Sequence, residues 1–283
     1  MLGLGTVLAC LTIVFGAAPM RVCRRVYGRA AYWVGHLAIA AALAAAGFGS
    51  YALIVLGLAV MVGAYAEVEE HGGSLFSSGA IAILAMAGAL TSALGIGLRL
   101  TKGNLLQVIR AEIVPVVEQL TRMNPQVQIN VDSILQQLPS GVLIVAMVSM
   151  LIALIWERRI FAGFRITRLA PYNELRSFRV PDFVVWIVAA TILGAFFRHG
   201  IGWLEIGSMN ILNVVVVVYF FQGLAVVAHA FRTYKVNPFW QWFWYLMIVL
   251  QLAVVVSFIG FVDYWLEFRE RLSRKPAEPT KEF

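Results

Sequence analysis

The sequence predicts an all-α fold, a polytopic membrane helix bundle of about eight transmembrane helices with one amphipathic extramembrane helical segment. Three observations carry this. The runs Met209–Phe231 and Phe239–Val262 are helix-length and hold few polar side chains, and a hydrocarbon core of about 30 Å needs about 20 apolar residues in a helix. The chain is 61% hydrophobic and 13% charged. Soluble domains carry about 25% charged residues, so lipid must solvate much of this outer surface. Finally, arginines gather between apolar runs, as Arg21, Arg24, Arg25 and Arg29 do. A net charge of +7 placed this way fits topology signals and anionic headgroups. Nucleic-acid binding is set aside, because a basic face needs a folded soluble platform.

The first apolar run is Leu2–Ala18. A signal peptide is the alternative, but no basic region precedes the run, and it reads as a retained span. Cys10 and Cys23 would lie about 20 Å apart along a helix, and they read as free thiols. Ala31–Gly47 and Tyr51–Ala66 are joined by Gly47, Phe48, Gly49 and Ser50, a tight helical hairpin. His36, seven positions after Arg29, reads as interfacial. Glu67, Glu69, Glu70 and His71 read as a solvated loop, with a metal site as the sharper alternative.

The fourth span is Leu75–Leu98. Its stripe Ala85, Ala89, Ala93 and Gly97, and the run Ala38–Ala46, are small enough for close helix contact, which places both helices inside the bundle. In 103–140, Leu105, Ile109, Ile113, Val116, Val117 and Leu120 recur at helical spacing, opposite Gln107, Arg110, Glu118 and Arg122. This is an amphipathic helix on the membrane surface, kinked or restarted at Pro115. Asp132 can cap a second short helix, Ser133–Leu138, before Pro139.

Gly141–Trp156 is the fifth span, and a basic loop from Arg158 to Pro181 follows. Pro181 and Asp182 are start signals for a short sixth span, Phe183–Phe197. The last span opens on Trp240, Trp242, Trp244 and Tyr245 and closes on Tyr264 and Trp265. That aromatic spacing of about 37 Å reads as a belt at both interfaces. Residues 1–270 therefore form one membrane-embedded domain, and 271–283 a charged flexible tail. With Arg21–Arg29 and Arg158–Arg179 on the cytoplasmic side, both termini fall outside.

No phosphate-cradling loop, His-Glu-x-x-His or nucleophile elbow is present. The expectation is a non-enzyme with no catalytic residue, metal or cofactor. The seventh span carries Asn210, Asn213, Gln222 and His229. Buried amides in lipid need partners, so these four are either glue between helices or the ligand-binding wall of a cavity.

Three segments carry a family resemblance. They are Phe178-Arg179-Val180-Pro181-Asp182 leading to Trp186, Asn210-Ile211-Leu212 with Tyr219 to Val227, and Gly260 to Arg269. Together with Ala18-Pro19-Met20 and Arg24 to Gly28, they make the chain resemble the YybS-like family of bacterial multipass membrane proteins, a domain of unknown function. The resemblance implies the bacterial cytoplasmic (inner) membrane. It also implies a distant similarity to substrate-binding subunits of energy-coupling-factor vitamin importers, which work with a coupling subunit and ATPases. The function expected is a substrate-binding or permease-like subunit for a small solute. The alternative is a membrane scaffold organising other envelope proteins. The partners expected are membrane lipids and such subunits or envelope proteins, and no nucleic acid.

Overall fold

A computed structural model describes residues 13–101, 105–123, 130–163, 175–196 and 202–273, and among these every regular element is helical. The helices are α1 (Ile13–Ala45), α2 (Gly49–Glu70), α3 (Leu75–Thr101), α4 (Leu105–Met123), α5 (Val131–Gly163), α6 (Phe183–Phe196), α7 (Gly202–Thr233), α8 (Pro238–Leu266) and α9 (Phe268–Ser273). Among the described residues, five are long and apolar enough to cross a membrane: α2, α3 over Leu75–Arg99, α5, α7 and α8. The eight expected spans map onto these five, the shorter apolar α6, the second half of α1, and the run 2–18, of which 2–12 lie outside the described residues. The tail beyond Ser273 also lies outside them.

The chain divides into two compact units, Met1–Pro171 and Tyr172–Phe283. In the first, α1 is broken at Gly28, whose φ of 77° and ψ of 179° lie in a region open essentially to glycine alone. Before the break, α1 runs parallel to α5. Ser149 Oγ donates to the Ile13 carbonyl at 3.0 Å, Phe15 stacks on Trp156, and Arg21 meets Glu157. Gly16 to Arg24 are all buried. After the break, α1 runs antiparallel to α2: Tyr32 Oη donates to the Ala59 carbonyl at 2.8 Å, and the Trp33 ring fills the space beside Gly63. The hairpin turn is closed by Phe48 N–H donating to Leu43 O at 2.9 Å and Gly47 N–H to Ala44 O at 3.1 Å, with Gly47 at φ 86°. That is the Schellman motif, whose left-handed position favours glycine.

The core of this unit is Met20, Val55, Leu58, Met61, Val62, Tyr65, Ala82, Met86 and Met150. α3 meets α2 through Ser78, Ala82 and Met86, and Leu90 packs over Gly57. The expected Ala85–Gly97 seam is therefore displaced around the helix. Ala85, Ala89 and Ala93 are half-buried and Gly97 is exposed. In the run Ala38–Ala46 only Ala40 is buried. Small residues permit close approach, but here the seam forms where a large side chain, Leu90, finds a glycine opposite.

The two prolines expected to interrupt a helix, Pro115 and Pro139, are carried through, as is Pro19 inside α1. α4 continues across Pro115, and α5 runs as one helix across Pro139, merging the expected short helix with the fifth span. Proline costs about 3 kcal/mol in a helix interior, and Pro115 and Pro139 both sit on exposed positions of their helices. The cap is one position from Asp132's neighbour: Asn130 Oδ1 accepts from Asp132 N–H at 2.9 Å, while the Asp132 carboxylate pairs with Arg110 at 3.2 Å. α4 keeps an outward apolar face at Val116, Leu120 and Met123.

In the second unit, Gly194 of α6 faces Ser208 of α7. α7 and α8 cross backbone to backbone. A Cβ on Gly223 would strike Val256 O, and one on Gly260 would strike Tyr219 O. α8 starts at Pro238 with Asn237 Oδ1 accepting from Phe239 N–H at 3.0 Å, and it contains a π-helical turn at Ile248–Leu252. Glu267, at φ 47°, ends it and turns the chain into α9.

Candidate functional site

Two buried polar centres emerge, one in each unit. The first gathers the arginines of α1 and the carboxylates of α2 and α5. Arg24 and Arg25 follow Arg21 by three and four positions just before the Gly28 break, so both lie on the face of Arg21. Glu67, Glu69 and Glu70 fill the last turn of α2. Carboxylates there oppose the helix macrodipole, at about 0.3–1 kcal/mol each, and need cations from elsewhere.

Those cations are the arginines. Arg21 donates from Nε and Nη2 to Glu157 Oε2 at 3.1 and 2.6 Å, and from Nη2 to Glu69 Oε2 at 3.1 Å. Arg25 Nη2 donates to the same Glu69 oxygen at 3.0 Å. Arg24 Nη2 donates to Glu67 Oε1 at 2.9 Å and Glu70 Oε2 at 3.1 Å. At the rim, Arg29 Nε lies 3.0 Å from Glu67 Oε1, and Arg25 Nη1 lies 3.5 Å from Glu70 Oε1. The Arg21 guanidinium sits 4.8 Å above the Tyr65 ring centroid, a cation–π geometry.

Even so, three guanidinium nitrogens of this centre, Arg21 Nη1, Arg24 Nε and Arg25 Nη1, are buried with no hydrogen-bond partner among the described residues. Buried polar atoms in folded proteins are nearly always paired. Three guanidinium nitrogens on neighbouring cations therefore keep unused hydrogen-bond donor capacity.

The second centre ties a loop to two helices. Gln222 of α7 accepts from Val180 N–H through Oε1 at 2.9 Å and donates through Nε2 to Asp263 Oδ2 of α8 at 3.1 Å. Arg269 of α9 donates from Nη2 to Asp263 Oδ2 at 2.9 Å, and from Nη1 to the Phe178 and Arg176 carbonyls at 3.0 and 3.2 Å. The three segments that carry the resemblance are thus the three that this latch joins.

The sequence-selected residues of α7 are not brought together. Asn210 and His229 are 19 positions apart on one helix, about 28 Å at 1.5 Å per residue. Asn210 Nδ2 donates to the Ile206 carbonyl of its own helix at 2.8 Å. Asn213 and His229 are half-buried. Only Gln222 is fully buried, and both ends of its amide are committed to protein groups. The glue reading describes Gln222.

The larger correction concerns the charges. Arg21–Arg29 lie in a helix rather than a loop, and Arg21, Arg24 and Arg25 turn onto Glu67, Glu69, Glu70 and Glu157, while Arg29 stays exposed at the rim. His71 Nδ1 is bound to the Glu67 carbonyl at 2.7 Å, and no group of metal-holding side chains occurs among the described residues. His36 is buried against Tyr32, with Nδ1 2.8 Å from the Tyr32 carbonyl. The sequence signal that could have found the first centre is the complementary count of four arginines and three glutamates flanking one helical hairpin. Glu157 had no such signal.

A family model described as "Predicted membrane protein (DUF2232)" matches residues 3–264. No curated protein and no solved structure matches the chain. The chain belongs to this family of membrane proteins.

Proposed function

We propose that this membrane protein is a non-enzymatic, substrate-binding or permease-like subunit for a small solute, and that the arginine centre of the first unit holds the solute. One observation supports the reading above others: Arg21 Nη1, Arg24 Nε and Arg25 Nη1 are buried and form no hydrogen bond among the described residues. An unmet buried donor costs about 1–3 kcal/mol, and more when charged. Ionisable groups inside membrane proteins commonly mark solute and ion paths. A solute carrying oxygen acceptors would meet all three donors. Gln222 is a weaker candidate, since both ends of its amide already bind protein groups.

The resemblance to YybS-like proteins, and through them to energy-coupling-factor subunits, supports a bacterial inner-membrane setting with a coupling subunit and ATPases as partners. Solute uptake in a deletion strain carrying wild-type protein or Arg24→Gln is the test. Uptake of at least one solute restored by the wild type and not by Arg24→Gln is expected. Identical uptake with and without the gene, across acidic and neutral solutes, would remove the reading.

A scaffold for other envelope proteins is the second reading. It draws support from Gly88 and Gly95 of α3, which are exposed with open space beside them, and from exposed Ala41, Ala42, Ala44 and Ala45 of α1. Small residues let another helix approach closely. Pull-down in mild detergent separates the two, because transport predicts ATPases and scaffolding predicts envelope proteins.

A further inference from the structure

We propose that Glu70 is a displaceable occupant of the arginine centre: a ligand oxyanion, carboxylate or phosphate, takes its place against Arg24 and Arg25 while Glu70 moves into solvent. The inference rests on the solute-binding reading and names the solute's chemistry.

Charge balance forces the exchange. Arg21, Arg24, Arg25 and Arg29 face Glu67, Glu69, Glu70 and Glu157, so the centre is already neutral. An added anion would leave an uncompensated buried charge, which is strongly unfavourable. One carboxylate has to leave.

Glu70 is the one built to go. Its side chain is 33% exposed, against 22% for Glu67, 11% for Glu69 and 8% for Glu157. Its contacts are the loosest, at 3.1 Å to Arg24 and 3.5 Å to Arg25. It is the last residue of α2, where the macrodipole disfavours a carboxylate. Glu157, by contrast, is enclosed and sits 2.6 Å from Arg21.

The site it vacates has the geometry an oxyanion needs. Nε and Nη2 lie on one edge of a guanidinium and can grip two oxygens of a carboxylate or phosphate at once. On Arg24, Nε has no hydrogen-bond partner, and Nη2 is shared by Glu70 at 3.1 Å and Glu67 at 2.9 Å. Arg25 Nη1 has no hydrogen bond and only a 3.5 Å ion-pair contact, to Glu70. Departure of Glu70 leaves one carboxylate, Glu67, on Nη2 and frees its second proton, beside the free Nε and a second cation.

The test uses full-length protein in detergent, titrated separately with inorganic phosphate and with acetate, and read by calorimetry. Glu70→Gln removes the competing charge and is expected to bind at least one of the two anions about tenfold tighter than wild type, a gain of about 1.4 kcal/mol. Arg24→Lys keeps the positive charge but loses the two-pronged edge, and is expected to lose that gain in the Glu70→Gln background. Which anion binds identifies a carboxylate or a phosphate solute. Equal affinity of wild type and Glu70→Gln overturns the exchange and leaves the arginine site standing. No heat with either anion for a monodisperse wild type and Glu70→Gln overturns the exchange and the arginine site together.

Discussion

Arg21 Nη2 and Nε approach a single carboxylate oxygen, Glu157 Oε2, at 2.6 and 3.1 Å, from 136 positions away in the chain. This pair fixes the first half of α1 alongside α5, in the middle of the apolar core of the first unit. Removing one member leaves the other charged and buried, a loss of about 3–5 kcal/mol. Glu157→Gln and Arg21→Gln are each expected to lower the thermal unfolding midpoint in detergent sharply. The double change Arg21→Met with Glu157→Leu is expected to recover much of that loss. A single variant as stable as wild type would show the pair to be inconsequential.

Gly28 and Gly88 should respond in opposite directions to the same substitution. Gly28 holds φ 77° and ψ 179° at the α1 break, so alanine there is strained by about 1–3 kcal/mol. Gly88 lies inside α3 with open space where a Cβ would stand, and alanine there gains about 0.5–1 kcal/mol of helix stability. Parallel melting curves of Gly28→Ala and Gly88→Ala provide the check. A shift of the same sign for both would contradict the broken-helix geometry.

At the crossing of α7 and α8, Gly260 lies against the Tyr219 carbonyl. A methyl group has no side chain to push aside there, only backbone, so Gly260→Ala must spread the helices, at about 1–3 kcal/mol. Lowered stability with a changed tryptophan emission spectrum is expected. Unaltered stability would mean that the helices do not meet there.

Gln222→Leu should loosen the latch of the second unit. It strands the Val180 N–H and removes one of two donors to Asp263 Oδ2, each stranded group costing about 1–3 kcal/mol. Hydrogen exchange at the Val180 amide is expected to quicken more than tenfold, because 1.4 kcal/mol is already a factor of ten. Exchange at wild-type rate would show that Gln222 does not hold the loop.

Much of the helical plan was readable in the linear pattern. α2, α3, α7 and α8 lie close to their expected apolar runs, the Gly47 turn falls where the hairpin was placed, and the aromatic start of α8 sits behind Pro238. These are local properties: length of apolar run, turn chemistry and capping. The packing seam of α3 was misplaced by one step around the helix, since composition marks small residues but not the partner that fills the gap beside them. The prolines at 115 and 139 were read as breaks because propensity is local, and the structure carries a helix through both.

The candidate site was the least legible part. Arg21 to Arg29 and Glu67 to Glu70 are both conspicuous in sequence, but read singly each set looks solvated, as charges next to apolar runs usually are. The sequence by itself determined that this chain lives in a membrane, since the number of apolar residues exceeds what a water-facing surface can accommodate. Only the tertiary structure decided that Arg21, Arg24 and Glu157 are turned inward. Ion pairing falls off over a few ångströms of space rather than along the chain, so Glu157 can neutralise Arg21 only once α1 and α5 lie side by side.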